Sequence, residues 1–306
     1  MNLELPDSSL VIAQLISGVY SSILITLVAL GISLIFGVAR IVNLAHGSFY
    51  MVGAYLMTSL VPMRDGLAWF VISVAISSIG VGLLAGLFEL ALIRRIYKKG
   101  AHLQIMITFG MLLCINAGVE LIWGTEYRSV DRPELLAESI DLYGITIPMY
   151  NLALVVVGVC LLFALWLLIN RTRWGRNLRA SGMDREMLGA LGVDINWLST
   201  QVFVLASMLA GLAGAIASPL FAVSLQLGFD SSLSSFVVVV IGGLGSLYGA
   251  LWASLLVNES QALSVLFAPK ISAYIPYAMM LVALVLRYGK SAYVYGLEKI
   301  AGEEGA

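Results

Sequence analysis

The feature that most limits what this chain can become is a succession of apolar runs, each about long enough to cross a lipid bilayer. A spanning helix needs about 20 mostly apolar residues. Such runs lie near residues 10–38, 41–60, 67–93, 103–123, 149–170, 197–217, 236–266 and 271–286. Unpaired backbone is intolerable in hydrocarbon unless protein or a water-filled cavity covers it, so helices are expected throughout and strands nowhere. The expected fold is all-α: residues 1–306 form one polytopic transmembrane helical bundle with about eight apolar segments. The first, third and seventh runs exceed one simple span, so one or two segments should be discontinuous. Composition agrees, because 60% of the residues are hydrophobic and only 11% are charged, too few charges to cover a water-exposed surface.

Basic residues give the orientation. Arg94, Arg95, Lys98 and Lys99 form one cluster, Arg171, Arg173, Arg176, Arg179 and Arg185 a second, and Arg287, Lys290 and Lys299 a third. Lys and Arg concentrate in cytoplasmic loops, which places residues 171–196 in the cytoplasm and the acid-rich stretch 124–148 outside. Counting crossings puts the N-terminus outside and the C-terminus inside. The opening MNLELPDSS has no Lys or Arg, so the first run reads as a retained span and not as a cleaved signal.

That count strains at 236–266, which must either enter and return to the outer side or cross twice. At its centre stands Gly242-Gly243-Leu244-Gly245-Ser246, where each glycine weakens a helix by about 1 kcal/mol. A break inside the membrane is expected there. HGSFYMVGAYLMTSL near residue 47 and LGSLYGALWASLL near 245 share Gly-Ser-apolar-Tyr followed by Gly-Ala. Their helices start on opposite sides, the pattern of an inverted repeat.

Enzyme signatures are missing. Gly289-Lys290-Ser291 lacks the upstream glycine of a phosphate loop, since position 284 is Leu284. His46 and His102 have no Cys, Asp or Glu at ligand spacing, so no metal site and no catalytic group is assigned. The net charge of -1 argues against nucleic acid. Cys114 and Cys160 lie inside apolar runs and read as small buried hydrophobes. The stripes Gly18-Ser22-Thr26, Ser78-Gly82-Gly86 and Ser207-Gly211-Ala215 read as close helix packing.

Ionisable groups in apolar runs need a reason, because each costs about 2.5–3.5 kcal/mol at a helix centre. Glu89 sits one turn from Arg94 and is expected to pair or snorkel, and Glu120 to reach water. Glu259 follows the broken element beside Asn258, and Arg40, Asn43 and His46 form a polar group between two runs. Residues 171–198 are polar yet patterned: Leu178, Met183, Met187, Leu188 and Leu191 recur at helical spacing among Arg179, Asp184, Arg185 and Glu186. Such a face seeks headgroups or a groove on a soluble subunit, and its mixed charge favours a protein.

Three stretches in order, RIVNLAHGSFYMVGAYL, WGRNLRASGMDREMLGALGV and VVVVIGGLGSLYGALWASLL, resemble the membrane permease subunit of high-affinity branched-chain amino acid ABC importers. The resemblance implies a second related permease subunit, two cytoplasmic ATPases carrying ATP and Mg, a periplasmic substrate-binding protein and residence in the cell inner membrane. It implies no cofactor in this chain. ABC permease loops carry a Glu-Ala-Ala-x3-Gly pattern that docks in the ATPase; here Glu186, Met187, Leu188 and Gly192 hold those places. The coupling residues expected are Arg179, Asp184, Glu186, Met187, Leu188, Leu191 and Gly192, on a helix at 183–192. Asn43, His46, Gly47, Gly242, Gly243, Gly245, Ser246 and Glu259 are the candidate translocation path. The C-terminal LRYGKSAYVYGLEKIAGEEGA departs from the family's usual ending. That leaves urea or short amides open as alternative solutes within the same architecture. An ion-coupled secondary transporter is the rival of another class.

Overall fold

The computed structural model describes residues 8–97, 99–142 and 145–287. The N-terminal stretch before Ser8, Lys98, the Gly289-Lys290-Ser291 turn, Lys299 and the divergent ending after Arg287 lie outside the described residues. The helices are Ser8–Ala39 (α1), His46–Leu60 (α2), Leu67–Ala91 (α3), Ala101–Trp123 (α4), Met149–Arg171 (α5), Arg173–Met183 (α6), Arg185–Ala190 (α7), Ile195–Ala217 (α8), Gln226–Gly242 (α9) and Leu247–Phe267 (α10). The last is Ser272–Arg287 (α11). Six of them, α1, α3, α4, α5, α8 and α10, are long and apolar enough to cross a membrane; α9 and α11 are shorter apolar helices.

The bundle is built around α1 and α8. Leu27, Val28, Ala29, Ala206, Ala210 and Ala213 are shut away at their contact, while Leu83, Leu87, Met106, Leu121 and Val156 on α3, α4 and α5 point outward. Outward leucine on every flank is the surface of a chain solvated by lipid. Cys114 and Cys160 are exposed rather than buried. Lipid is as apolar as a core, so an apolar run does not say which of its faces points inward.

The small-residue stripes do pack helices. On α1, Ser22 Oγ donates to the Gly18 carbonyl, and Ser254 Oγ of α10 donates to the Ser22 carbonyl at 2.9 Å. On α3, Ser78 Oγ donates to the Met208 carbonyl of α8 at 3.0 Å, and a Cβ on Gly82 would lie 2.3 Å from Met208 Cγ. These two antiparallel interfaces, α1 with α10 and α3 with α8, are the most extensive in the molecule, and α2–α3 is matched by α9–α10. The packing therefore repeats when α1, α2 and α3 are exchanged for α8, α9 and α10. The echo between 46–60 and 244–256 aligns α2 with α10, which that exchange does not relate. Both copies begin a helix with Gly-Ser-x-Tyr, and local helix-start chemistry accounts for the likeness.

The seventh run is divided between two helices. α9 and α10 are joined by residues 243–246, with Gly243 and Gly245 at φ 93° and 81°. Ser246 caps α10 by accepting from the Gly249 N–H at 3.0 Å. This turn lies beside Gly37, near the end of α1, so it is a tight hairpin at one end of the bundle and not an intramembrane break. The helices are also interrupted at residues 40–45 between α1 and α2 and at 218–225 between α8 and α9.

No strands were expected, but Ser139–Leu142 (β1) and Ile145–Pro148 (β2) pair antiparallel, Ile140 opposite Ile147. The hairpin belongs to the polar 124–148 segment, where a period-two alternation can pair locally outside any hydrocarbon. Arg128 and Val223 exchange backbone hydrogen bonds of 3.0 and 2.8 Å, tying this segment to the α8–α9 connection. One end of the bundle thus carries the hairpin, and the other carries α6, α7 and the 243–246 turn.

Candidate functional site

Two of the sequence-derived sites are close to each other in the fold but differ in kind. The first is the joint between α1 and α2. After Arg40, which adopts a positive φ of 54°, the chain turns back into the bundle. Asn43 is 1% exposed and caps the turn, its Oδ1 accepting from the Ala45 N–H at 3.1 Å. His46 is fully buried against Gly31, where a Cβ would lie 2.5 Å from Nε2. The polar interaction of its ring is with the Val28 carbonyl, short of hydrogen-bonding geometry. Gly31 lies eight residues before the end of α1, so α2 starts about 12 Å inside the bundle end.

At that depth the start of α2 meets the start of α9. The Gly47 N–H donates to Ser232 Oγ at 3.0 Å, and that hydroxyl donates onward to the Leu44 carbonyl at 2.9 Å. A Cβ at position 47 would stand 2.3 Å from the Gly228 carbonyl oxygen, so only glycine fits. The orphan N–H groups of a helix start buried in apolar surroundings need partners. One serine supplies a partner for the helix start and for the break at once.

The second site is the α6–α7 end. The expected single helix at 183–192 is interrupted: Asp184 leaves helical geometry and caps α7, its Oδ1 accepting from the Met187 N–H at 3.0 Å. Gly192 closes α7 with φ 89°, its N–H donating to the Gly189 carbonyl at 3.0 Å. The Glu-to-Gly spacing thus reflects a turn that favours glycine. Met183, Met187 and Leu191 are 86, 64 and 74% exposed and Trp197 is 56% exposed, but Leu188 is only 7% exposed. Leu188 packs into this chain's own core, so it is not part of the free face expected of it. Glu186 is exposed, and Arg179 donates to the Ile169 carbonyl, pinning α6 to the end of α5.

Sequence reading passed over Arg185. Its guanidinium donates to the Ala39 carbonyl at 3.3 Å and to Ser199 Oγ at 3.3 Å. One side chain thereby ties α7 to the end of α1, where the joint begins, and to the first turn of α8. Burial lowers its pKa, with Tyr97 opposing that shift and Arg40 reinforcing it. Nothing in the spacing of DREMLG separates this arginine from its neighbours; only the fold does. Nearby, Glu89 is wholly buried and accepts from Tyr97 Oη at 2.6 Å and Thr200 Oγ1 at 2.8 Å, with Arg94 Nε at 3.7 Å. Pairing, not snorkelling, keeps this carboxylate inside.

The remaining path candidates separate. Gly242, Gly243, Gly245 and Ser246 form the end-of-bundle hairpin, next to Gly37 and Gly182. Glu259 is half-buried against Gly18, with Oε2 unpaired. Missed altogether was Asp230 on α9, exposed at a cleft of about 310 Å³. Phe229, Leu233 and Phe236 recur at helical spacing around it.

A bundle of outward-apolar helices with a capped helical turn projecting from one end now meets its relatives. The family model described as branched-chain amino acid transport system / permease component matches residues 14–284. The chain belongs to that permease family. It is similar to the high-affinity branched-chain amino acid transport system permease protein LivH of Salmonella typhimurium, 26% identical over 82% of this chain and 85% of LivH. It is also similar to BraD of Pseudomonas aeruginosa, a permease protein described in the same words, 25% identical over 92% of this chain and 96% of BraD. The fructose import permease protein FrcC of Rhizobium meliloti is 29% identical over 71% of this chain and 63% of FrcC. The permease is accordingly the non-catalytic, multi-pass membrane component of an ABC-type importer. Such a component works with ATPase and binding-protein partners, and ATP binds on the ATPases.

Proposed function

We propose that this permease forms, with a second homologous permease subunit, the translocation path of an importer for branched-chain or related small amino acids. Two cytoplasmic ATPases drive it, and a substrate-binding protein delivers solute to the opposite face. The observation that carries this reading is the exposed apolar face Met183-Met187-Leu191 on a capped turn beside a basic rim, at the end opposite the β1–β2 hairpin. In this reading the α6–α7 end, residues 171–196, is cytoplasmic, and 124–148 is external. That orientation puts the start of α1 outside and the end of α11 inside the cell.

ATP-driven closure of the ATPases moves α7, and Arg185 passes that motion to Ala39 and the joint at 40–45. Asn43, His46 and Gly47 form the hinge of the path, and the 243–246 turn with Ser246 is its cytoplasmic rim. Asp184 and Gly192 keep α7 in shape, Arg179 holds α6, and Glu186 orients the ATPase. Glu259 steadies α1 against α10. Similarity to LivH and BraD supports the amino-acid cargo.

The test is co-purification followed by uptake. The permease should return with two ATPases and a second permease, and vesicles holding that complex should take up leucine when ATP and the binding protein are present. Fructose uptake without leucine uptake would overturn the cargo. ATP-independent, ion-gradient-driven uptake would overturn the coupling.

A further inference from the structure

Midway along the bundle, a cleft of about 310 Å³ opens between α1, α9 and α10. Ser21 and Leu24, at the middle of the 32-residue α1, form one wall. Asp230 and Ser234 come from α9, and Asn258 and Gln261 from α10. A volume near the lower end of the usual range for small-ligand clefts, about 300–1,000 Å³, suits a single small solute.

The chemistry of the wall is specific. Asp230 is exposed, and its carboxylate receives one hydrogen bond, from Gln226 Nε2 at 3.2 Å. It has no salt-bridge partner among the described residues. A carboxylate facing acyl chains is unfavourable, and such groups in membrane proteins face a water-filled cavity or a bundle interior. Asn258 Nδ2 is committed to the Ser254 carbonyl at 2.8 Å. The hydroxyls of Ser21 and Ser234 make no hydrogen bond among the described residues.

We propose that Asp230 is the transient binding group for the ammonium of an amino acid in transit, with Ser234 and Gln261 completing the polar wall. This inference rests on the amino-acid reading above and adds to it a residue and a charge. An anionic group in a cleft favours a solute bearing a positive group over a neutral sugar of similar size. Leu227 and Val238, which line the same cleft, give an apolar side chain its contact. The binding is weak enough to release, as a path requires, because one unpaired carboxylate supplies the charge.

The test is leucine uptake by the complete importer in vesicles, with wild-type, Asp230→Asn and Asp230→Glu permeases assembled with the same binding protein. Assembly with the ATPases is measured by co-purification for each. Loss of a charge-assisted contact should cut uptake by about tenfold or more in Asp230→Asn. Asp230→Glu, which keeps the charge, should stay within about threefold of wild type on the same scale. Uptake by Asp230→Asn equal to wild type overturns the inference and leaves the amino-acid reading intact. Equal loss in both variants with assembly preserved also overturns it, since charge would then not be what matters. A wild-type complex that imports no amino acid removes the cargo reading itself, and the ammonium assignment with it.

Discussion

At the residue scale, the closest contacts are made by groups that other side chains cannot replace. A Cβ on Gly214 would lie 1.9 Å from the Tyr50 carbonyl oxygen, and one on Gly53 2.1 Å from that of Gly211. Backbone cannot yield as a flexible side chain can, so Gly214→Ala should lower stability by about 1–3 kcal/mol, seen as a lower melting temperature in detergent. Glu89 is a different case. Its partners are Tyr97, Thr200 and Arg94, and Glu89→Ala would leave the Tyr97 hydroxyl without its acceptor and Arg94 without its counter-charge, while Thr200 keeps Asn196 and Arg94. The expected loss is about 2–3 kcal/mol, with Glu89→Gln milder in the same melting assay. Burial, followed by the hydrogen bond and charge of Glu89, raises the pKa of the Tyr97 hydroxyl. A folded-state value above the unfolded one means that this contribution is complete below about pH 10 and fades as the pH rises further. Tyr97→Phe should therefore lose less of its melting temperature than wild type does between about pH 9 and 11.

At the scale of elements, α7 shows how six residues can hold a shape in isolation. Asp184 closes its start, Gly192 closes its end, Leu188 is its buried apolar anchor, and Arg185 ties it to Ala39 and Ser199. Substituting the two kinds of apolar residue should separate folding from docking. Leu188→Ala should destabilise the permease by about 2–4 kcal/mol. Met187→Asp and Leu191→Asp, on the free face, should leave melting within about 0.5 kcal/mol. If that face docks on an ATPase, the same two variants should recover far less ATPase on co-purification. Full recovery would remove the docking role. α2 shows the opposite strategy: its start lies deep inside, and Ser232 of α9 supplies the partner that a helix end in water would find in solvent.

For the whole molecule, the pairing of α1 with α10 and of α3 with α8 builds a two-part bundle whose breaks meet at the starts of α2 and α9. The orientation of that bundle is testable with single cysteines in a background where Cys114 and Cys160 are serine. Glu186→Cys should react with a membrane-impermeant maleimide only after the inner leaflet is opened, and Asp141→Cys should react in intact cells. Labelling of both from one side would reverse the proposed orientation.

The apolar runs alone were enough to specify a multi-pass helical bundle, because hydrocarbon leaves a backbone few alternatives. The stripes of small residues likewise announced where helices approach, since only small side chains permit it. The amphipathic face at 183–191 was legible as a pattern, but its break at Asp184 and the inward turn of Leu188 were not. Those depend on where Arg185 finds Ala39 and Ser199, residues 146 and 14 positions away. The 139–148 hairpin and the helix through Asp230 were hidden because polar residues mark a loop equally well. The glycines at 242–245 were misplaced in depth for a related reason: a glycine run announces that a helix ends, and the height at which it ends is set by its neighbours. Long-range packing against α1, α8 and α9 decided which carboxylate was sheathed, as Glu89 is, and which was left facing a cleft, as Asp230 is.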